Sequence, residues 1–487
     1  MDRTARGFRP VLLLSLSAGL IVIAAARPAG AVPIFARKYQ TSCQTCHVIF
    51  PKLNAHGEAF RLNGYRMPAG HEKEEPVKEK PVALGAEADK RLWPAAVYPT
   101  DIPGTVPLAV NVKLATVLTS GPGGRRTSFE FPQEVNLFTA GTLGDAFSFF
   151  GEVTYAERPD SGSDVEIEHA QLQVNSPFGP EHLVNFKIGK FAPDLDAGVQ
   201  EMWLMTDNGI GTIFSYNPIG FHGGTGLSDK GGISLPANVK GIEIYGVAAH
   251  RLFYTIGACN GMGPGATGET ADGNNRRDYY ARVDYKFGGM GLDGSESGGE
   301  GGEMAGMAGM AGTADMPAMS GEAHASKNWR ESSLRVGLLG YTGDGSKIDF
   351  AVADASGNPF TMQDRRYNRI GLFASWYFRD LNVFGVALHG TDRLRLLDSQ
   401  TSARIDETTR GYDAWFAQAD YVLTPALQGS VRYENLDAAD SHADTLQFLN
   451  LNLSVLVRAN IKVMLEYRAD LGDTQDYSVA GVVRFAI

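Results

Sequence analysis

Cysteine is scarce in this 487-residue chain: there are three, at positions 43, 46 and 259. Three cannot build a disulfide framework, and two of them stand three positions apart. Positive charge is also short. The formal net charge is −11, which removes any electrostatic claim on nucleic acid phosphates and suits the attraction of cations. Long apolar runs are missing beyond the first thirty residues, so no later stretch reads as a membrane-spanning helix, which needs about 20 apolar residues.

The start of the chain does carry an apolar run, from Val11 to Ala26, behind a basic head of Arg3, Arg6 and Arg9. Ala29-Gly30-Ala31 follows as a small-x-small cleavage pattern. Residues 1–31 therefore read as a secretory signal peptide, too short to span a bilayer. Its removal leaves the chain more acidic still.

Cys43-Gln44-Thr45-Cys46-His47 is the pattern that attaches haem c. The two thiols add across the haem vinyl groups, and the two-residue gap matches their spacing. The adjacent histidine then lies under the iron as proximal ligand. A zinc site would need a second ligand pair, which is absent. A thioredoxin-type pair would need a surrounding βαβ pattern, also absent.

The stretch "FPKLNAHGEAFRLNGYRMP" that follows reads as one helix. Pro51 suits its first position, Leu53, His56, Phe60 and Asn63 are spaced for one face, and Gly64 suits its stop. Met67 comes where the chain can fold back onto the haem, and is the expected second axial ligand. His56 is the alternative, His71 a third, and an open or water-bound position a fourth. Residues 32–70 thus form a monohaem cytochrome c segment. Residues 71–105, rich in Lys, Glu, Pro and Ala, read as a linker.

From residue 106 to 487 a two-residue period takes over. In "YYARVDYKFG" Arg282, Asp284 and Lys286 share a face. In "LQGSVRYE" Gln428, Ser430, Arg432 and Glu434 do. In "LNLNLSVLVRAN" Leu449, Leu451, Leu453, Val455 and Val457 alternate with Asn450, Asn452, Ser454, Leu456 and Arg458. Segments of about ten residues, separated by turn signals and apolar on one face, mark an antiparallel transmembrane β-barrel with a wet lumen. The expectation is a mainly β fold of about 16 strands, with the haem segment as a lumen plug and an outer-membrane location. A soluble β-sandwich is the rival, since alternation also serves a half-buried sheet.

One connection, residues 288–327, differs in texture. Met304, Met307, Met310, Met316, Met319 and His324 stand in a Gly/Ala-rich run. It reads as a coreless outer loop, or as a soft site suited to Cu(I). Cys259 reads as an inert small residue.

Residues 33–67 resemble the N-terminus of the fused monohaem cytochrome–porins of the outer membrane in iron-oxidising bacteria. The shared pattern is Phe35-Ala36-Arg37, the Cys43/Cys46/His47 motif, Phe50-Pro51-x-Leu53-Asn54, Gly57, Phe60 and Asn63-Gly64-Tyr65. His56 stands where that pattern leads one to expect an aromatic. The resemblance implies one covalent haem c on Cys43, Cys46 and His47, with Met67 a weaker transfer. It also implies an iron:cytochrome c oxidoreductase activity, with extracellular Fe(II) as donor and a periplasmic cytochrome or other carrier as acceptor. Glu152, Asp284, Asp420, Glu434, Glu466 and Asp470 are the lumen carboxylates expected to guide Fe(II). Other donors or acceptors, or a diffusion porin with a structural haem segment, are the competing roles.

Overall fold

The computed structural model describes residues 34–39, 41–68, 91, 106–121, 123–144, 146–158, 162–195, 201–207, 209, 235, 238–260, 277–295, 329–343, 350–353, 359–398, 404–438, 445–472 and 476–487. The signal peptide, nearly all of the linker, His71 and the Met-rich part of 288–327 lie outside the described residues.

The two-residue period becomes a single sheet that closes on itself. Every strand of the wall pairs antiparallel with the next in sequence, and the last, Tyr477–Ala486, pairs with the first, Leu108–Gly121, to seal it. Sixteen strands make the wall. A short strand, Phe350–Ala353, continues the track of Glu331–Gly343 along the same neighbour, Pro359–Arg379, and adds no further position around it. Closure gives every strand of the wall two neighbours.

The alternation points as the sequence implies. Tyr279, Val283, Tyr285 and Phe287 are exposed, while Tyr280, Arg282, Asp284 and Lys286 are buried. Leu451, Leu453 and Val455 face outward, and Asn450, Asn452 and Ser454 inward. Ile370 is 66% exposed although it is apolar and mid-strand. A soluble protein would hide such residues, so the soluble sandwich is set aside. A closed barrel with an apolar outside is the form in which strands cross a bilayer, and this chain is an outer-membrane barrel of that kind. No helix among the described residues is long and apolar enough to cross.

Two expectations need correction. Strands of about ten residues suffice to span, yet Pro359–Arg379, Leu381–Asp398 and Arg404–Thr424 run for 21, 18 and 21 residues. Their surplus lies at the end where the longer connections emerge, so these hairpins continue their pairing beyond the hydrocarbon. The interior, second, is packed instead of uniformly wet. Phe191, Phe373, Phe384, Phe416 and Tyr412 are buried inside it beside the charged residues.

The two rims differ. Arg379 to Leu381, Thr424 to Leu427 and Arg458 to Ile461 are tight turns, and they share a rim with Leu108 and Ala486. Gly288 and Glu331 lie on that same rim. The Met-rich connection is therefore anchored among the short turns and not on the long-loop side. Its first residues pack inward: Leu292 is buried with Leu62, Tyr245, Val247 and Phe253.

Candidate functional site

The N-terminal segment sits inside the barrel, and its local sequence dictates its shape. Ser42 caps a single 3₁₀ turn, Cys43–Thr45, its side chain accepting from Gln44 N. The chain then forms a two-stranded hairpin, His47–Ile49 with Lys52–Leu53. The helix follows at Ala55–Leu62, four residues later than Pro51 suggests. Asn54 sets this start. Its side chain accepts from Gly57 N at 2.9 Å and donates to Thr45 O at 3.0 Å, so one residue caps the helix and ties it to the cysteine turn. Gly64, at φ 65°, ends the helix as expected.

Phe35 stacks on Tyr65 at 5.1 Å between ring centroids and meets Phe60 edge-on at the same distance. Tyr65 in turn stacks on Phe150 of the wall at 5.9 Å. The aromatics singled out in the sequence thus form a bridge from segment to wall.

Polar contacts fix the plug more firmly. The ammonium of Lys52, 2% exposed, binds Asp420 and lies 2.7 Å from Asn382 Oδ1. Glu58 pairs with Arg335, Arg61 Nη1 with Asp194 Oδ1 at 2.6 Å, and Gln428 Nε2 donates to Val48 O at 3.0 Å. A second inward segment, unforeseen in the sequence, begins after Phe191. Asp194 on it holds Arg61 and Lys187. Across the lumen, Asp207 meets Lys113 at 2.9 Å, and Thr206 accepts from Arg432 at 2.7 Å. This crossing segment and the plug share the lumen.

Between them remains a cavity of about 820 Å³, within the usual range for small-molecule and cofactor sites. Cys43, Cys46, His47 and Met67 all line it, with Phe35, Phe60 and Tyr65 from the plug and Phe150 and His169 from the wall. His56 is on the helix but is not part of that lining. His47 Nδ1 lies 3.0 Å from Pro51 O, which orients the ring. Burial lowers the His47 pKa, partly offset by the backbone hydrogen bonds to its ring, and so favours the neutral imidazole that a metal requires. Burial pushes the Cys46 thiol up to about 12, with Cys43 nearby adding to it, and raises Cys43 as well.

The six expected carboxylates divide. All lie on inward-facing strand positions, but Glu152 alone of them lines the cavity. Asp284 is paired with Arg282 and Arg335, Asp420 with Lys52, and Glu434 with Arg432. Glu466 accepts from Asn450 and Asn452, and Asp470 from Gly472 N. They serve the packed interior. Glu166, Glu168 and His169 line the cavity instead, and the sequence held a signal for them. In "DVEIEHAQLQ" polar residues fall at 164, 166 and 168 and then at 169, 171 and 173, a slip of phase. Cys259 is buried in the wall's inner apolar cluster, consistent with an inert residue.

The fold and its filled lumen define a sixteen-stranded membrane barrel with an N-terminal plug. No protein-family model matches the sequence, and no curated protein does. Solved structures do. A loop L8 deletion mutant of OmpT, an outer membrane protein of Vibrio cholerae, aligns at 13% identity over 79% of this chain and 99% of its own, with a TM-score of 0.44. OmpF of Salmonella typhi in complex with daunomycin aligns at 10% identity over 78% and 97%, with a TM-score of 0.47. An anion-selective porin from Comamonas acidovorans aligns at 10% over 78% and 98%, with a TM-score of 0.45. Barrel closure in this chain rests on its own strand pairing.

Proposed function

We propose that this protein is an outer-membrane electron conduit. It would oxidise extracellular Fe(II) through one c-type haem and pass the electron to a periplasmic one-electron carrier. The observation that carries this reading is the position of the Cys43/Cys46/His47 motif. Both thiols, the histidine and Met67 open onto one cavity inside a membrane barrel, and the wall completes that cavity.

The residues suit a haem. Cys43 and Cys46 would hold it covalently, and His47 and Met67 would bind its iron. Haem c supplies a one-electron relay between donor and acceptor. The chain does the rest by holding and shielding. The Pro51 carbonyl fixes the His47 ring, Phe35, Phe60, Tyr65 and Phe150 give the pocket an apolar wall, and the Lys52–Asp420 pair ties the plug to the wall. Each ferrous ion that gives up one electron leaves as ferric ion, so no proton acceptor or nucleophile is needed.

The test is stopped-flow haem absorbance of the detergent-purified, oxidised protein mixed anaerobically with Fe(II). Rapid growth of the reduced-haem bands, slowed in His47→Ala, is the expected result. A protein that dithionite reduces and Fe(II) does not would overturn the iron reading.

A further inference from the structure

We propose that Glu152, Glu168 and His169 form a binding site for a divalent transition-metal ion on the wall of the cavity. It is the docking site for the ferrous donor, and in that respect rests on the reading above.

Backbone geometry carries the first part of the argument. Successive strand residues point to opposite faces, so Glu168 and His169 could not both face the lumen in a regular strand. The pairing between Phe147–Arg158 and Gly162–Val174 slips here: Glu152 lies opposite His169, but Val153 lies opposite Ile167. Glu168 is the extra residue of a β-bulge, the device by which a strand re-aims a side chain. Before it Val165 and Ile167 are outward and exposed, and after it Leu172 is. The bulge turns Glu168 and His169 inward together, against Glu152.

The donor set carries the second part. One ligand atom from each of the three lies within 4.8 Å of the other two. Donors bound to one ion at about 2.1 Å stand about 3–4 Å apart, so small side-chain rotations close the set. One imidazole nitrogen and two carboxylates suit ferrous or manganous ion, and not the soft Cu(I) suggested for the methionines. His169 Nδ1 is already 2.8 Å from Glu152 Oε2. Glu152 otherwise accepts from Asn136, a neutral donor, at 3.1 Å. The nearby ammonium of Lys190 is drawn to Glu166, at 2.6 Å.

All three ligands line the same cavity as Cys43, Cys46, His47 and Met67. The redox step balances with one metal ion: Fe(II) becomes Fe(III), and its single electron is taken up by the haem assigned to that cavity and then by the periplasmic carrier.

The experiment uses the full-length, haem-loaded protein in detergent. Mn(II), which Fe(III) haem does not oxidise, is titrated and the free ion followed by electron paramagnetic resonance. Fe(II) is used in parallel by stopped flow. One Mn(II) per chain is expected, with affinity falling at least about tenfold in Glu168→Gln and in His169→Asn. In those variants the dependence of haem reduction rate on Fe(II) should change from saturating to linear, with the haem spectrum unaltered. Mn(II) binding that the variants leave unchanged overturns the site, whatever Fe(II) does. A haem spectrum altered by His169→Asn in metal-free protein also overturns it, because His169 would then be a haem ligand. Mn(II) bound as expected with no reduction by Fe(II) supports the site and overturns the iron reading alone.

Discussion

Lys52 and Asp420 lie 368 residues apart in sequence and meet as a buried ion pair, 2% and 3% exposed. The lysine belongs to the plug and the aspartate to the wall strand Arg404–Thr424, four residues from its short-turn end. Removing one partner strands a buried charge, which costs about 3–5 kcal/mol. Lys52→Met should therefore loosen the plug, read as faster proteolysis or amide exchange of residues 34–68 in an intact barrel. The double variant Lys52→Met/Asp420→Asn should recover much of the protection. Equal protection in wild type and Lys52→Met would refute the pair's role in docking.

Gly57 is the only residue type that fits its place. A Cβ there would stand 2.0 Å from the Cys46 carbonyl oxygen, a backbone atom that cannot swing aside. Gly57→Ala should push the helix off the cysteine turn and lower the haem-to-protein ratio of purified protein, while the barrel still folds. Normal haem content would show that the helix can shift without cost to the motif.

Glu58 gives a pH dependence. Burial raises its carboxyl, but Arg335, Lys286 and Arg61 outweigh that and hold it below the usual carboxylate range. A depressed carboxyl stabilises the folded form above its unfolded pKa of about 4.3, and that contribution is lost as pH falls through the lower folded value. Plug protection should therefore be flat from pH 7 to about 5 and decline only below about pH 4. Glu58→Gln should remove that part of the acid response.

The thiols give another. With Cys46 raised to about 12 and Cys43 raised too, both stay protonated at pH 8 in the folded, haem-free chain. Iodoacetamide should label them slowly in the folded barrel and rapidly after unfolding. Fast labelling of folded protein would mean that the plug leaves the lumen.

Met67 lines the cavity and His56 does not. Met67→His should lower the haem potential, and Met67→Ala should change the axial spectroscopic signature, with His56→Ala leaving both near wild type. A larger effect from His56→Ala would reverse the assignment.

Much of this was legible in the chain. The barrel and its strand number follow from local spacing and alternation, which closure preserves because inside and outside differ in polarity. Gly64 ended the helix as its conformation requires. The helix start was misjudged, because Pro51 lies in the hairpin and the cap at Asn54 depends on a contact with Thr45. The packed interior was not legible either. Which lumen carboxylate meets a lysine from the plug, and that the chain after Phe191 turns inward, are matters of tertiary placement. His169 lay between: its slip of phase was in the sequence, but the partner across the bulge was not.

The seam between Leu108–Gly121 and Tyr477–Ala486 also limits how another protein can approach. Every strand of the wall has two neighbours, so along the stretches paired on both sides a partner has no free ladder to extend by β-augmentation. At the short-turn mouth recognition falls to side chains. On the short-turn side these surround the entrance through which the plug reaches the lumen. On the proposed function, a soluble redox partner would dock there face-on, as a lid sits on a jar.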